Sequence, residues 1–380
     1  MPDIPAAPGN WGVLKVSAVH ANGYRPSENK ALNDSSPIES RYEVRPGDLL
    51  FSRANTPDLV GSACIATASR ERLLLSDKTL RLVVNPALAD VRYVCLSLSS
   101  HQLRQQIINS SSGSSLSMQN ISQGAIEGLA LRWPPLAEQR RIVDVVDAMS
   151  AQEYAIEASI AKMRSVRQGT LLASMTSVGG GELPRGWARM PLKDVVPEAE
   201  YGISNALDQD PRGIPVLRMN NLRDGRPELS DLRYSPVSVP GRLELRRGDV
   251  LFNRTNSIEH IGKSAMWRAE IPRATFASYL VRINPDKTRL IPEYLVEWLM
   301  HPLIRQRVQS ISTVAVQQVN VNPTRLRELE IDMPVDLVEQ RRIIDLLSSC
   351  DEQIQGEQAE LNKVRTLRLG LVDDLLAGSA

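Results

Sequence analysis

Two stretches of this chain write the same helix opening: PPLAEQRRIVDVVDAMS at 134–150 and PVDLVEQRRIIDLLSSC at 334–350, which sets Glu138 and Glu339 201 residues apart. The repetition reaches upstream at the same offset, where RPGDLLFSRANTPDLVGSACI (45–65) answers RRGDVLFNRTNSIEHIGKSAM (246–266). NISQGAIEGLALRWPPLAEQRRI (120–142) answers NVNPTRLRELEIDMPVDLVEQRRI (320–343), with one residue added. Self-similarity at one long period marks duplicated domains. The chain must therefore build one kind of unit twice, in the order globule, helix, globule, helix.

The globular segments read as α+β. LLFSR and VLFNR are short apolar strands after a Gly-Asp turn, and CIAT and LRLVV have strand composition. Residues 93–109 and 292–310 have the apolar spacing of amphipathic helices, with His101 and His301 at Ser-Ser and Pro breaks where they would cap or pack. SSSGSSLS (110–117) reads as a small-polar loop.

The two long helices are the clearest elements. Pro134 and Pro135 can open the first, where a missing N–H costs little, and Glu138 suits the positive end of the helix dipole. Asp336 and Glu339 vary the capping-box pattern at the second. Ile142, Met149, Ile156 and Met163 then recur every seven residues with Val146 and Ile160 on the next row. Ile343, Cys350, Val364 and Leu371, beside Leu347, Ile354, Leu361 and Leu375, do so in the second. Such a seam, about 50 Å long, must be buried. Charges interrupt it at Glu153 and Arg167 and at Glu357 and Arg368. In an antiparallel pair the numbers of facing residues have a constant sum. Glu153 with Arg368 and Arg167 with Glu357 satisfy this to within one turn, whereas no parallel register satisfies both. The expectation is an antiparallel coiled coil with a globule at each end; the alternative is that each helix lies on its own domain.

Composition removes several function classes. No apolar run approaches the roughly 18 residues of a membrane span, and the N-terminus has no leader pattern, so the chain reads as cytoplasmic. The three cysteines and four histidines are scattered without metal-ligand spacing. Phosphate-cradling GxxxxGK[ST] and nucleophile-elbow GxSxG patterns are missing, and no nuclease lysine follows the acidic pairs. No catalytic or metal site is expected; the chain reads as a recognition protein. Of 45 basic residues only 8 are lysine, and arginine suits bidentate contact with guanine edges and phosphates, though a high-GC genome gives the same bias.

These motifs resemble those of the specificity subunit of type I restriction–modification systems. The likeness rests on PPLAEQRRI and DLVEQRRI, GDLLFSR and GDVLFNR, NIS before the first helix, and ELPRGWARMPLKDV (182–195) opening the second half, and it covers nearly the whole chain. It implies a non-catalytic DNA-reading chain: a target-recognition domain at 1–133, a long helix at 134–178, a linker at 179–182, a second recognition domain at 183–335 and a second long helix at 336–380. It implies double-stranded DNA with a bipartite, gapped sequence as ligand. Two modification subunits would dock on the helices, with restriction subunits in full systems. This chain would hold no cofactor; S-adenosylmethionine, and ATP with Mg where cleavage occurs, would belong to partner chains. One departure stands out: residues 183–212 have no counterpart before Trp11, so the first recognition domain lacks its usual opening.

Polar residues beside repeated frame positions are the candidates for DNA contact: Arg53, Asn55, Thr56, Ser114, Ser115 and Gln119 in the first half, and Arg254, Asn256, Lys263, Gln317, Gln318 and Asn320 in the second. Arg suits guanine, Asn and Gln adenine, Ser and Thr phosphate. Residues that match between copies, Arg53/Arg254 and Asn55/Asn256, suit phosphate contact or simply brace the turn; unmatched Lys263, Gln317 and Gln318 suit sequence reading. Gln139, Arg140 and Arg141, with Gln340, Arg341 and Arg342, are candidates for partner docking, although i,i+3 pairing with Glu138 and Glu339 would equally explain their repetition. The rival function is a tandem-repeat scaffold whose coil binds protein partners without reading DNA.

Overall fold

The computed structural model describes residues 4–32, 38–67, 71–115, 118–315 and 318–377. It divides into unit 1, Met1–Ala158 with Gln358–Ala380, and unit 2, Ser159–Glu357. Each unit thus contains one globule and a length of both long helices.

In unit 1 the Arg45–Asp48 turn starts the central strand. Gly47 takes a positive φ of 92° and the Arg45 amide donates to Asp48 Oδ2 at 2.8 Å. The strand Leu49–Ser52 follows, buried at every position because it runs between Ala63–Ile65 and Thr79–Leu82, antiparallel to both. Helices α1 (Val91–Ser99) and α2 (His101–Ser110) cover it, burying Phe51, Val60, Leu98 and Ile107 together. Asp90 caps α1 and Ser100 caps α2. The expected single helix at 93–109 is therefore two, because Ser100 is extended and its hydroxyl starts a new N-terminus. A second sheet sets Gly12–Leu14 antiparallel to Asn29–Ala31 and parallel to Leu73–Leu74. A third joins Ala54–Asn55, Met118–Asn120 and Ser112–Ser115, so part of the expected loop at 110–117 is a strand. The short helix α3 (Gln123–Glu127) leads to the long helix α4 (Leu136–Ser174).

Unit 2 repeats this plan. Gly248 has the same φ of 92°, the Arg246 amide donates to Asp249 Oδ2 at 2.9 Å, and Val250–Asn253 is the buried central strand. Ile214–Leu217 takes the antiparallel-plus-parallel place of Gly12–Leu14. Helices α5 (Pro292–Met300) and α6 (Pro302–Ser310) follow, and His301 caps α6 through Nδ1. The short helix α7 (Pro323–Arg327) precedes the long helix α8 (Leu337–Ala377). Three strands have no equivalent among the described residues of unit 1. Glu200–Tyr201 extends the central sheet, and Trp187–Pro191 pairs with Glu330–Pro334, where Arg189 bonds Asp332 at 2.6 Å. Of these, Trp187–Pro191 and Glu200–Tyr201 come from the segment without a counterpart in the first half, and Glu330–Pro334 is the partner that Trp187–Pro191 requires. No described helix is long and apolar enough to cross a membrane.

The long helices pair antiparallel. In unit 1, Ile142, Val143 and Val146 of α4 pack with Val372 and Leu376 of α8 around Tyr93 of α1. In unit 2, Leu171 of α4 shares a core with Ile343, Ile344 and Leu347 of α8. Each helix therefore packs on its partner and on a globule at once. Arg368 bonds Glu153 at 2.5 Å, as the charge pattern predicts. Arg167 does not bond Glu357; it takes Asp351, at 2.5 Å, and Glu297 of α5, at 2.7 Å. The seam shifts as well: Val372 and Leu376 are buried, while Leu371 and Leu375 are only partly covered, Leu375 against the same core. A helix turns every 3.6 residues and not 3.5, so a strict heptad drifts off the interface.

Candidate nucleic-acid interface

After the central strand of unit 2, the chain turns at Arg254 into the short strand Thr255–Asn256 and a tight loop to Gly262. The Arg254 amide donates to the Tyr279 carbonyl at 3.0 Å and its carbonyl accepts from Val321 at 2.8 Å. The loop is fastened from α6: Arg305 donates to the Ile261 and Glu259 carbonyls and Gln309 to that of Ile258. Gly262, at φ +77°, lies so near Val308 that a Cβ there would come within 2.7 Å of it. Unit 1 uses the same devices. Arg53 donates to Lys78 at 3.0 Å and accepts from Ile121 at 2.9 Å, Arg104 fastens Val60 and Asp58, and Gly61, at φ +76°, faces Ile107. The frame is held by backbone bonds and by the arginines of α2 and α6, and leaves the side chains at its tips free to differ.

The predicted contact residues divide on this frame. Asn55 and Asn256 accept, through Oδ1, the amides of Thr56 and Ser257 at 2.9 and 2.8 Å, so the repeated asparagines brace the turn. Asn320 also belongs to the frame, accepting from the Thr255 hydroxyl. Gln119 stands opposite Asn55 on the paired strand, and Gln318 opposite Ala315 at the end of its hairpin. Thr56 is exposed, Arg53 is half-buried, Ser114 and Ser115 lie on the strand Ser112–Ser115, and Gln317 falls outside the described residues. Asn256 and Lys263 are brought together, lining one cleft with Asn220, Arg223 and His260. A second cleft, sharing Met219 and Asn220 with the first, is lined by Arg218 and Tyr279. The Arg254 guanidinium lies over the Tyr201 ring, 5.1 Å from its centre. Tyr201 and Tyr279 are both about half exposed (49% and 48%). Neither tyrosine stands out in the sequence; the one signal there is the mismatch of Tyr279 with Lys78 in the other copy.

The glutamines of the two helix openings do something else. Gln139 and Gln340 are fully buried. Gln340 Nε2 donates to the Arg289 and Pro334 carbonyls at 2.9 and 2.8 Å, and its Oε1 accepts from Ile291 at 3.0 Å. Gln139 likewise donates to Leu88 and Pro134 and accepts from Asp90. Each clasps the start of its long helix to its own globule and presents no polar atom outward. Arg140, Arg141, Arg341 and Arg342 are exposed. Arg342 sits 3.6 Å from Glu339, whereas Glu138 pairs with Arg132 at 3.3 Å. The face of α8 bearing Arg341 and Arg342 also carries Val338 (74% exposed) and Leu346 (51%).

Residues 184–366 match the family model of the type I restriction modification DNA specificity domain. The chain is 24% identical over 371 residues to the EcoBI specificity subunit of Escherichia coli, covering 88% of this chain and 75% of that one. It is 34% identical over 137 residues to the EcoEI specificity subunit, also of Escherichia coli, across 36% of this chain and 23% of that one. A Methanocaldococcus jannaschii protein named as the MjaX specificity subunit is 28% identical over 198 residues; the match spans about half of each chain, 51% of this one and 46% of that one. In fold the chain resembles the HsdS subunit from Thermoanaerobacter tengcongensis, with a TM-score of 0.51 and 18% identity over 97% of this chain and 91% of that one. A chain from a study of assembly and conformational transition in a type I R-M system gives a TM-score of 0.62 and 18% identity, over 99% and 95%.

Proposed function

We propose that the chain is a specificity subunit of the type I restriction–modification kind, as the match over residues 184–366 supports, and that it reads double-stranded DNA as a bipartite, gapped target, one half-site per unit. The observation that carries this is the pairing of an identical frame with different tips. Arg53/Arg254, Gly61/Gly262 and Arg104/Arg305 hold the same backbone geometry in both units, while Leu59/His260, Ser62/Lys263 and Lys78/Tyr279 differ. Two dissimilar readers on one scaffold are what two dissimilar half-sites require. Within unit 2, Lys263 and Asn256 supply cationic and amide donors suited to phosphate oxygens and purine edges, beside an Arg223 that stands 3.6 Å from Glu228 in the same cleft. The frame residues Arg53 and Asn55 would orient the readers.

The methyltransferase chemistry, with its S-adenosylmethionine, and any ATP- and Mg-dependent cleavage belong to partner chains in this reading. Two modification subunits dock, one on each helix opening. Support comes from the matched outward faces: Arg140, Arg141 and Val145 on α4 stand where Arg341, Arg342 and Leu346 stand on α8, and Val145 (41%) and Leu346 are both exposed. An exposed apolar residue flanked by arginines suits a partner interface better than bare solvent.

Selection from a random-duplex pool by the complex with its cognate modification subunit tests the proposal. Enrichment of a two-part motif with a fixed gap is the expected result; no enriched sequence would overturn it. Leu346→Glu should weaken capture of the modification subunit while leaving the secondary structure intact.

A further inference from the structure

The strands Thr79–Leu82 and Leu280–Arg282 are each preceded by a matched position, Lys78 and Tyr279, 201 residues apart like the rest of the repeat. Each is fixed to the frame through its backbone: its carbonyl accepts from the amide of Arg53 or Arg254 at 3.0 Å. The side chain takes no part in that bond, so the position can change residue without disturbing the fold. The two copies differ there, with a cation in one and an aromatic hydroxyl in the other.

In unit 2, Tyr279 is half exposed and lines a cleft that shares Met219 and Asn220 with the cleft lined by Asn256 and Lys263. The neighbouring Arg254 guanidinium is held against the Tyr201 ring, and its Nε is buried without a hydrogen-bond partner. Tyr279 thus stands beside an arginine already positioned by backbone and ring, on a surface where amide and ammonium donors converge. Lys78 is the half-buried residue at the matching node of unit 1.

We propose that Tyr279 and Lys78 are specificity-determining residues, each reading base edges in the half-site of its own unit. This rests on the DNA-reading function above and adds the residue pair that makes the two half-sites differ. A tyrosine offers a ring face to a thymine methyl and one hydroxyl that donates or accepts. A lysine offers donors to the O6 and N7 acceptors of guanine. The two chemistries select different base pairs from the same place on the frame.

The test is selection from a random-duplex pool by the complex with the modification subunit, using the native chain, Tyr279→Lys and Lys78→Tyr. Expected is a change confined to one half-site in each variant, with discrimination at one or more base pairs falling about tenfold or more, and the other half-site unaltered. Unchanged motifs in both variants overturn the proposal. So does a uniform loss of affinity for all sequences with a shallower salt dependence, the mark of a phosphate contact. If Tyr279→Lys does not fold, Tyr279→Ala, which keeps the backbone bond, must relax the second half-site alone or the proposal is wrong. A native complex that selects no motif refutes DNA reading itself, a different failure from a native motif that the variants leave intact.

Discussion

Arg368 on α8 donates from Nε to Glu153 Oε1 on α4 at 2.5 Å, with both side chains largely covered by the helix pair (29% and 13% exposed). Arg365 adds a second cation, 3.7 Å from Glu153. A double-mutant cycle between Glu153→Ala and Arg368→Ala should give a coupling of about 1–2 kcal/mol in denaturant unfolding, between exposed and fully buried pairs. Zero coupling would mean that the contact does not set the register.

The second charged site of the seam behaves differently. Arg167 divides its guanidinium between Asp351 and Glu297, so Asp351→Ala leaves a covered arginine with one partner and should cost roughly 1–3 kcal/mol. Glu357→Ala, at the position the charge pattern favoured, should stay within about 0.5 kcal/mol. Equal losses from the two substitutions would reverse the assignment.

That contrast shows what the sequence made legible. The duplicated unit, the antiparallel pairing and the Glu153–Arg368 contact follow from local patterns and residue arithmetic. Arg167's partners do not, because Glu297 arrives from α5, which no helical periodicity on α4 can register. Gln139 and Gln340 looked like surface docking residues because they adjoin paired arginines. Their burial depends on carbonyls about 50 positions away in the chain. Ser112–Ser115 has loop composition and becomes a strand only because Met118–Asn120 offers it an edge. The recognition frame was legible as repetition, but Tyr201 and Tyr279 were not, since their placement beside Arg254 and the Met219–Asn220 turn is tertiary.

Gln340→Leu should remove the clasp at the start of α8. Two carbonyls and the Ile291 amide lose their partners at a site closed to water, at a cost of roughly 3 kcal/mol or more. Gln340→Glu keeps the shape but aims an acceptor at two carbonyls, so it should be no better at neutral pH. Thermal unfolding that leaves either variant as stable as the native chain would remove the clasp from the account.

Gly262→Ala tests the recognition loop. The substitution places a Cβ at a φ of +77° and within 2.7 Å of Val308 Cγ1, which should cost about 2 kcal/mol. Gly61→Ala faces Ile107 at 2.4 Å and should cost at least as much. Gly241→Ala, with open space around it, is the control and should leave the melting temperature nearly unchanged.

Glu297 makes stability depend on pH. Burial drives its carboxyl above the usual carboxylate range, while the charge of Arg167 and the hydrogen bond from it pull the other way without cancelling the shift. The folded chain therefore holds this proton more tightly than the unfolded chain does. Its contribution is fully present below the ordinary glutamate range, and it falls as pH rises through the raised folded value. Glu297→Gln carries no such proton, so native and variant chains should differ in the slope of melting temperature against pH above about 4.5, the native chain losing stability relative to the variant as pH increases. Parallel curves across that window would mean that Arg167 has returned the carboxyl to its ordinary range.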